Sequence, residues 1–206
     1  MVSKLNLSKM QELIKKKLFE SALKIIPFEV WGPDLLVKAE QAVNLPEGIA
    51  SVLFPSGIND FFEYYIEEID REMLSVYKDS IGSNLKVHQR IRQCIISRIE
   101  VLVRNKNVAA RVLAFLAMPI NYALSLRTLW KTVDLIWYEA GRDQSTDFNY
   151  YTKRGLLAGV YSSTILYWIN DESENFTETV GFLDRRLEDV HKIYKAKEKF
   201  ARVISL

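Results

Sequence analysis

These 206 residues predict an all-helical protein, a bundle of about nine helices, and three observations carry that expectation. Apolar residues make up 49% and charged residues 26%, the balance of an ordinary globular chain with a core to fill. The 8 glycines and 5 prolines are too few for a sandwich or barrel, which needs a turn about every ten residues. Apolar residues also recur at three- and four-residue spacing, as in Met10, Ile14, Leu18, Ala22 and Ile25. The length suits one full hydrophobic core, so a single domain over residues 1–206 is expected.

Ser8 with Gln11 reads as a capping box opening the first helix, and Pro27 closes it. Pro33 and Pro46 each stand where a first-turn proline opens a short helix. Pro55, Ser56 and Gly57 make a turn, and a longer helix runs over 59–80 with Gly82 beyond its end. This long, short, short, long order is that of a helix-turn-helix unit and its connecting helix, so 8–80 reads as a head. Leu85, Ile91, Ile95, Ile99 and Leu102 mark the next helix, which Asn105 to Asn107 break. A short apolar helix to Met118 follows, and Pro119 opens another that ends at Gly141. After a loop over 142–146, a helix over 147–170 is apolar on almost every face. Residues 171–175 are polar loop and the remainder is helical. The segment 84–189 thus forms a helical body, and 190–206 a tail helix.

Charge decides what the head can do. From Ile25 to Asp70 there are nine acids and one base, Lys38, a net charge of −8. A DNA reader must neutralise several phosphates, and this surface repels them. The helix expected over 46–53 has no Arg, Lys, Asn or Gln for base edges. The whole chain, at +2, implies no general attraction to nucleic acid either. A ligand-responsive transcription factor is the alternative reading of the head's shape, and its chemistry disfavours it.

No catalytic constellation is visible, and neither a cofactor nor a metal is expected. There is no phosphate-binding glycine loop. Glu188 and His191 have the spacing of a carboxylate-bridged di-iron pair, but such a site needs a second pair and two further Glu, and His88 has Leu85 in the matching position. An exposed polar helix face accounts for them better. Cys94, the one cysteine, reads as a packed core residue and excludes an internal disulfide. Asn6 and Asn175 match the glycosylation pattern without a secretory signal beside them. The first 17 residues lack the apolar stretch of a signal peptide and, with five lysines and no arginine, read poorly as a transit peptide. The uncharged runs 112–126 and 155–169 are each shorter than the about 20 residues of a membrane span. The chain is therefore expected in solution or on a membrane surface.

Three features stand out instead. Over 190–206, Val190, Ile193, Tyr194, Phe200, Ile204 and their neighbours fill one half of a helical wheel. Lys192, Lys195, Lys199 and Arg202 lie on the other, at a net +4. Such a helix lies on an anionic bilayer, or it packs as a last bundle helix with its lysines solvated; sequence leaves both open. The segments 108–126 and 156–169 are dense in large apolar residues, among them Phe115, Met118, Tyr122, Trp130 between them, Tyr161 and Trp168. They either enclose an apolar ligand or fill a core. Gly155, Gly159 and Ser163, four apart, permit close approach of another helix, from this chain or from a twin subunit.

The run Gln144-Ser145-Thr146-Asp147-Phe148-Asn149-Tyr150-Tyr151-Thr152-Lys153-Arg154 adds a family likeness. With Val160-Tyr161, Leu166, Asp171-Glu172-Ser173, Phe182-Leu183 and Arg185-Arg186, it resembles the lipid-binding accessory proteins of ubiquinone biosynthesis, the ninth-numbered coenzyme Q family. Upstream, Ala22-Leu23, Pro27-Phe28, Trp31, Leu53-Phe54-Pro55-Ser56-Gly57, Met118-Pro119 and Trp137-Tyr138 carry the likeness to roughly residues 10–190. The resemblance implies a fold similar to the tetracycline-repressor (TetR) family with DNA binding abandoned, which agrees with the acidic head. It implies a non-catalytic protein that binds an isoprenoid quinone intermediate at the membrane and presents it to the di-iron demethoxyubiquinone hydroxylase. The family's partner-facing patch corresponds to Asp147, Tyr150, Tyr151 and Arg154, with Tyr150 where many members have Trp. The family's amphipathic helix corresponds to the tail, with Lys192, Ile193, Lys195, Lys199, Phe200, Arg202 and Ile204 on the membrane. On this reading Phe115, Met118, Tyr122, Trp130, Tyr161 and Trp168 line the lipid cavity, whose shielding contributes about 0.8 kcal/mol per CH₂. A helix apolar all round must be covered on every side, which favours a homodimer, and the poor match to a transit peptide points to a bacterial member, cytoplasmic and peripheral on the inner membrane. A dimeric scaffold that carries no lipid is the remaining alternative.

Overall fold

Proline and glycine punctuate much of this chain, and several of its helices begin or end beside them. The computed structural model describes the backbone of residues 2–29, 31–82, 84–141 and 148–204, and the side chains of 8–29, 31–82, 84–141 and 150–193. Nine α-helices and no strand occur among the described residues: α1 (Val2–Ile25), α2 (Pro33–Ala42), α3 (Ile49–Leu53), α4 (Ile58–Ser80), α5 (Val87–Val103), α6 (Lys106–Leu116), α7 (Tyr122–Ile136), α8 (Phe148–Trp168) and α9 (Thr177–Ile204). A π-helical turn, Trp137–Gly141, continues α7, so the segment ends at Gly141 as expected. Pro33 is the first residue of α2.

Three local expectations are corrected. Ser8 does not cap α1, which runs unbroken from Val2, because nothing in 2–7 stops a helix and extension is cheaper than a new nucleus. Pro46 does not open α3. The helix begins at Ile49, after Gly48 takes a φ of 87°, and Pro46 forms the preceding turn by accepting from the Ile49 amide. Met10 lies outside the buried stripe of α1, being 56% exposed.

The chain divides into two compact units, one of residues 1–69 with 105–126, the other of 70–104 with 127–206. The first packs α1, α2 and α3 around aromatic side chains: Phe19, Trp31, Phe54, Phe61, Phe62, Tyr64 and Tyr65. Their rings meet edge-on or tilted, as between Trp31 and Phe62 at 5.6 Å, which suits the ring quadrupoles. Val108, Val112 and Phe115 of α6 complete this cluster. Buried Glu40 accepts from the Ala50 amide at 3.0 Å and so ties α2 to the start of α3.

In the second unit α5 packs on the π turn, α8 and α9, and α8 packs on α9. The α8–α9 corner is set by Asp171, whose carboxylate accepts from the Ser173 and Thr179 amides at 2.8 Å each and from the Thr179 hydroxyl at 2.5 Å. Beyond it the rings of Tyr167 and Phe182 stack 4.6 Å apart. Among the described residues no single helix is long and apolar enough to cross a membrane, although the bent pair Lys106–Leu116 and Pro119–Gly141 passes by length and composition.

Candidate functional site

Where α5, α8 and α9 meet, apolar side chains of all three leave a gap. A cavity of about 220 Å³ is lined by Val87, His88 and Ile91 of α5, Trp137 of the π turn, Lys153, Leu156, Leu157 and Val160 of α8, and Leu187, Val190 and His191 of α9. Its walls are mostly apolar, with polar groups at few points, the usual make-up of a small-molecule site. A second recess of about 300 Å³ adjoins it, sharing His88, Leu187 and His191 and adding Arg92, Asp184 and Glu188.

Several contacts hold these walls in place. Trp137 donates its ring N–H to the Lys153 carbonyl at 3.1 Å, fixing the π turn to α8. Gly141 makes room for that ring, since a Cβ there would collide with its six-membered edge. Arg90 reaches from α5 to the Ala140 carbonyl at 2.7 Å. Arg92 binds both oxygens of Asp184, at 2.5 and 3.0 Å, joining α5 to α9 across the recess.

Behind the cavity runs a buried polar network. Arg98 of α5 pairs with Asp70 of α4 and donates to the Tyr161 hydroxyl at 2.6 Å, and Thr132 of α7 donates to Asp70 at 3.1 Å. Burial alone would push the Arg98 guanidinium down, but Asp70 and Tyr161 hold it above the ordinary arginine value. Burial also pushes the Cys94 thiol up to about 12, so it is the inert core residue expected from sequence. Among the described residues no group of three or more His, Cys, Asp or Glu could hold a metal ion.

The six residues expected around a lipid do not line this cavity. Phe115 is buried in the first unit, its ring 5.9 Å from Trp31 and 5.2 Å from Phe62. Met118 and Tyr122 are exposed. Tyr161 is engaged by Arg98, and Trp168 is 1% exposed within the second unit's core. Trp130 stacks on Tyr151 at 6.1 Å and meets Tyr150 at 6.4 Å, so it joins the residues expected to face a partner. Of those, Tyr151 is 63% exposed, while Asp147 lies outside the described residues. Arg154 is corrected: at 2% exposed it faces no partner, and its Nε donates to Asp134 at 2.5 Å while its guanidinium covers the Tyr150 ring.

The tail is the continuation of α9 rather than a separate helix, because nothing between Thr177 and Ile204 breaks it. Val190 and His191, read as the start of a tail, belong to the cavity wall. Lys192 and Ile193 are exposed, with Lys192 paired to Glu188 at 3.2 Å. The side chains of Lys195, Lys199, Phe200, Arg202 and Ile204 lie outside the described residues. On α8, Gly155 and Gly159 are exposed, and a Cβ at either would meet open space, so the described residues put no helix against them.

A family model described as COQ9 matches residues 122–194, the stretch that holds the α8 and α9 walls of the cavity and the Trp130 cluster. The chain is 30% identical over 177 residues to ubiquinone biosynthesis protein coq9, mitochondrial, of Schizosaccharomyces pombe, a match covering 84% of this chain and 68% of that protein. The chain belongs to the COQ9 family. Ubiquinone biosynthesis protein COQ9, mitochondrial, from Rattus norvegicus is 31% identical over 186 residues, and its Homo sapiens counterpart 28%. Those matches cover 87% of this chain but only 59% and 58% of the two relatives, so the chain spans less than two thirds of their length. Among solved structures, a TetR transcriptional regulator from Nitrosomonas europaea ATCC 19718 aligns with a TM-score of 0.68 over 85% of this chain and 96% of its own, at 19% identity. This COQ9-family chain therefore has a TetR-like, all-helical fold.

Proposed function

We propose that this chain acts in ubiquinone biosynthesis as a non-catalytic accessory protein. It binds isoprenoid quinone intermediates at a membrane surface and presents them to the di-iron demethoxyubiquinone hydroxylase. The observation that supports this most is the apolar cavity between α5, α8 and α9, placed mainly within the stretch that the COQ9 model matches. A polyprenyl intermediate stays in the bilayer, and an apolar cavity beside an amphipathic helix shields part of its chain at about 0.8 kcal/mol per CH₂. Residues 192–206 dock on the membrane, the cavity takes the first part of the isoprenoid chain, and the Trp130–Tyr150–Tyr151 cluster engages the hydroxylase. The exposed α8 face of Gly155, Gly159 and Leu166 is the surface on which a second copy packs.

A TetR-like regulator is the second reading, favoured by the fold and opposed by the −8 charge between Ile25 and Asp70. One experiment addresses both. Anionic liposomes carrying an isoprenoid quinone are floated with the full chain and with a chain ended after Ile193, which spares the cavity. Flotation of the full chain alone, with quinone bound by both chains, is the expected result. A chain that retains neither liposomes nor quinone, and shifts DNA at low salt, would establish the regulator instead.

A further inference from the structure

Both histidines of this chain stand on one boundary. His88 comes from α5 and His191 from α9, and the two line the cavity and the adjoining recess alike. On the cavity side the walls are mostly apolar, with Ile91, Leu157 and Val160 all buried. On the other side the recess adds charged side chains, with Arg92 and Asp184 joined as an ion pair. An apolar cavity that meets, at two imidazoles, a recess carrying charged side chains has the layout of an amphiphile site. The chain of the ligand is shielded and its head stays within reach of hydrogen-bonding groups.

We infer that His88 and His191 are a head-group station, the residues that select an uncharged oxygen head, hydroxyl or carbonyl, on a ligand whose apolar chain occupies the cavity lined by Ile91, Leu157 and Val160. The inference rests on the reading that this cavity takes an apolar chain. Imidazole suits the task because a neutral ring offers one donor and one acceptor, so it bonds either a carbonyl or a hydroxyl. The charges around it set the selection against anionic heads. The recess carries the carboxylates of Asp184 and Glu188, the first bound by Arg92 and the second by Lys192. A carboxylate head would have to compete with both for those cations. Both histidines are exposed, so substituting them leaves the core of the unit intact.

The test uses the full chain, 1-decanol and decane as a matched pair of probes with and without a head, and displacement of Nile red as the readout. Wild type is expected to bind 1-decanol more tightly than decane. His88→Phe with His191→Phe keeps ring size and removes hydrogen bonding. It should weaken 1-decanol by about tenfold for each bond lost and leave decane unchanged or tighter. His88→Gln with His191→Gln, which keeps donors and acceptors, should restore part of the preference. Equal loss of both probes in the Phe variant, or no loss of either, overturns the head-group role while leaving the cavity reading in place. Failure of wild type to bind either probe overturns the cavity reading itself, and the inference with it.

Discussion

The guanidinium carbon of Arg154 lies 3.5 Å from the centroid of the Tyr150 ring, one turn earlier on α8, and both side chains donate to the same oxygen of Asp134 on α7. Arg154 is thus the buried support of an aromatic surface whose outer face is Tyr151. Removing it should cost stability as well as partner binding. Arg154→Ala is expected to destabilise by about 2 kcal/mol, less than for a fully buried pair because Asp134 is partly in solvent. Tyr151→Ala should cost less than about 1 kcal/mol and still weaken hydroxylase binding. Denaturant melts together with pull-down of the hydroxylase would separate the two. An Arg154→Ala chain as stable as wild type would contradict the supporting role.

The network behind the cavity makes a sharper prediction. Arg98→Met leaves the buried Asp70 carboxylate without its cation and should cost about 3–5 kcal/mol. Changing both partners, with Asp70→Asn added, should recover much of the loss, since no uncompensated charge then remains. A double-mutant cycle by chemical denaturation measures this directly, and additive losses would show that the two residues are not coupled.

Asp171 is the group whose titration the fold exploits. Burial would raise its carboxyl, but the hydrogen bonds from Ser173 and Thr179 outweigh that and hold it at about 2, below the ordinary 3.8. The folded state therefore prefers the carboxylate. Its contribution is complete above about pH 4 and is lost as the pH falls through about 2. Asp171→Asn should lower stability by about 1 kcal/mol at neutral pH, as for loss of a helix cap, and should flatten the acid limb of the stability profile. Melts between pH 2 and 7 would reveal either change; an unaltered acid limb would remove Asp171 from the account.

Gly141 tests the cavity wall from a distance. A Cβ there would press on the Trp137 ring, 3.1 Å from Cζ3 and closer still to Cε3. Gly141→Ala should therefore displace that ring, quench or shift its fluorescence, and weaken apolar ligands by several-fold. Retention of wild-type affinity would show that Trp137 can move without reshaping the cavity.

Much of the fold was legible because its signals are local. Pro33 opens α2 for the reason sequence suggests, Gly141 closes the segment that follows Pro119, and Asp171 sits in the polar stretch that separates α8 from α9. The site was less legible because apolar density does not name its neighbours. Phe115 belongs to a stripe that could enclose a ligand, yet it completes the aromatic core with Trp31 and Phe62. Trp168 likewise fills a core. In the sequence His88 and His191 stand far apart, one without a metal-binding companion and the other on a polar helix face. Only the packing of α9 on α5 brings them to one cavity. The spacing of Tyr150 and Arg154, one turn apart with Asp134 on another helix, was the signal that could have exposed Arg154 as a support. The acidic head, by contrast, was readable outright, because net charge needs no tertiary structure to count.

Everything proposed for this chain depends on the cavity between α5, α8 and α9 holding an isoprenoid chain. The most direct measurement is equilibrium binding of an isoprenoid quinone to the wild type, to Leu156→Trp, which fills the cavity from α8, and to Tyr122→Ala, which alters an exposed ring outside it. Leu156→Trp is expected to weaken binding by tenfold or more, or about 1.4 kcal/mol, while Tyr122→Ala leaves it unchanged. Undiminished binding by Leu156→Trp, together with loss in Tyr122→Ala, would contradict it and place the lipid elsewhere on the chain.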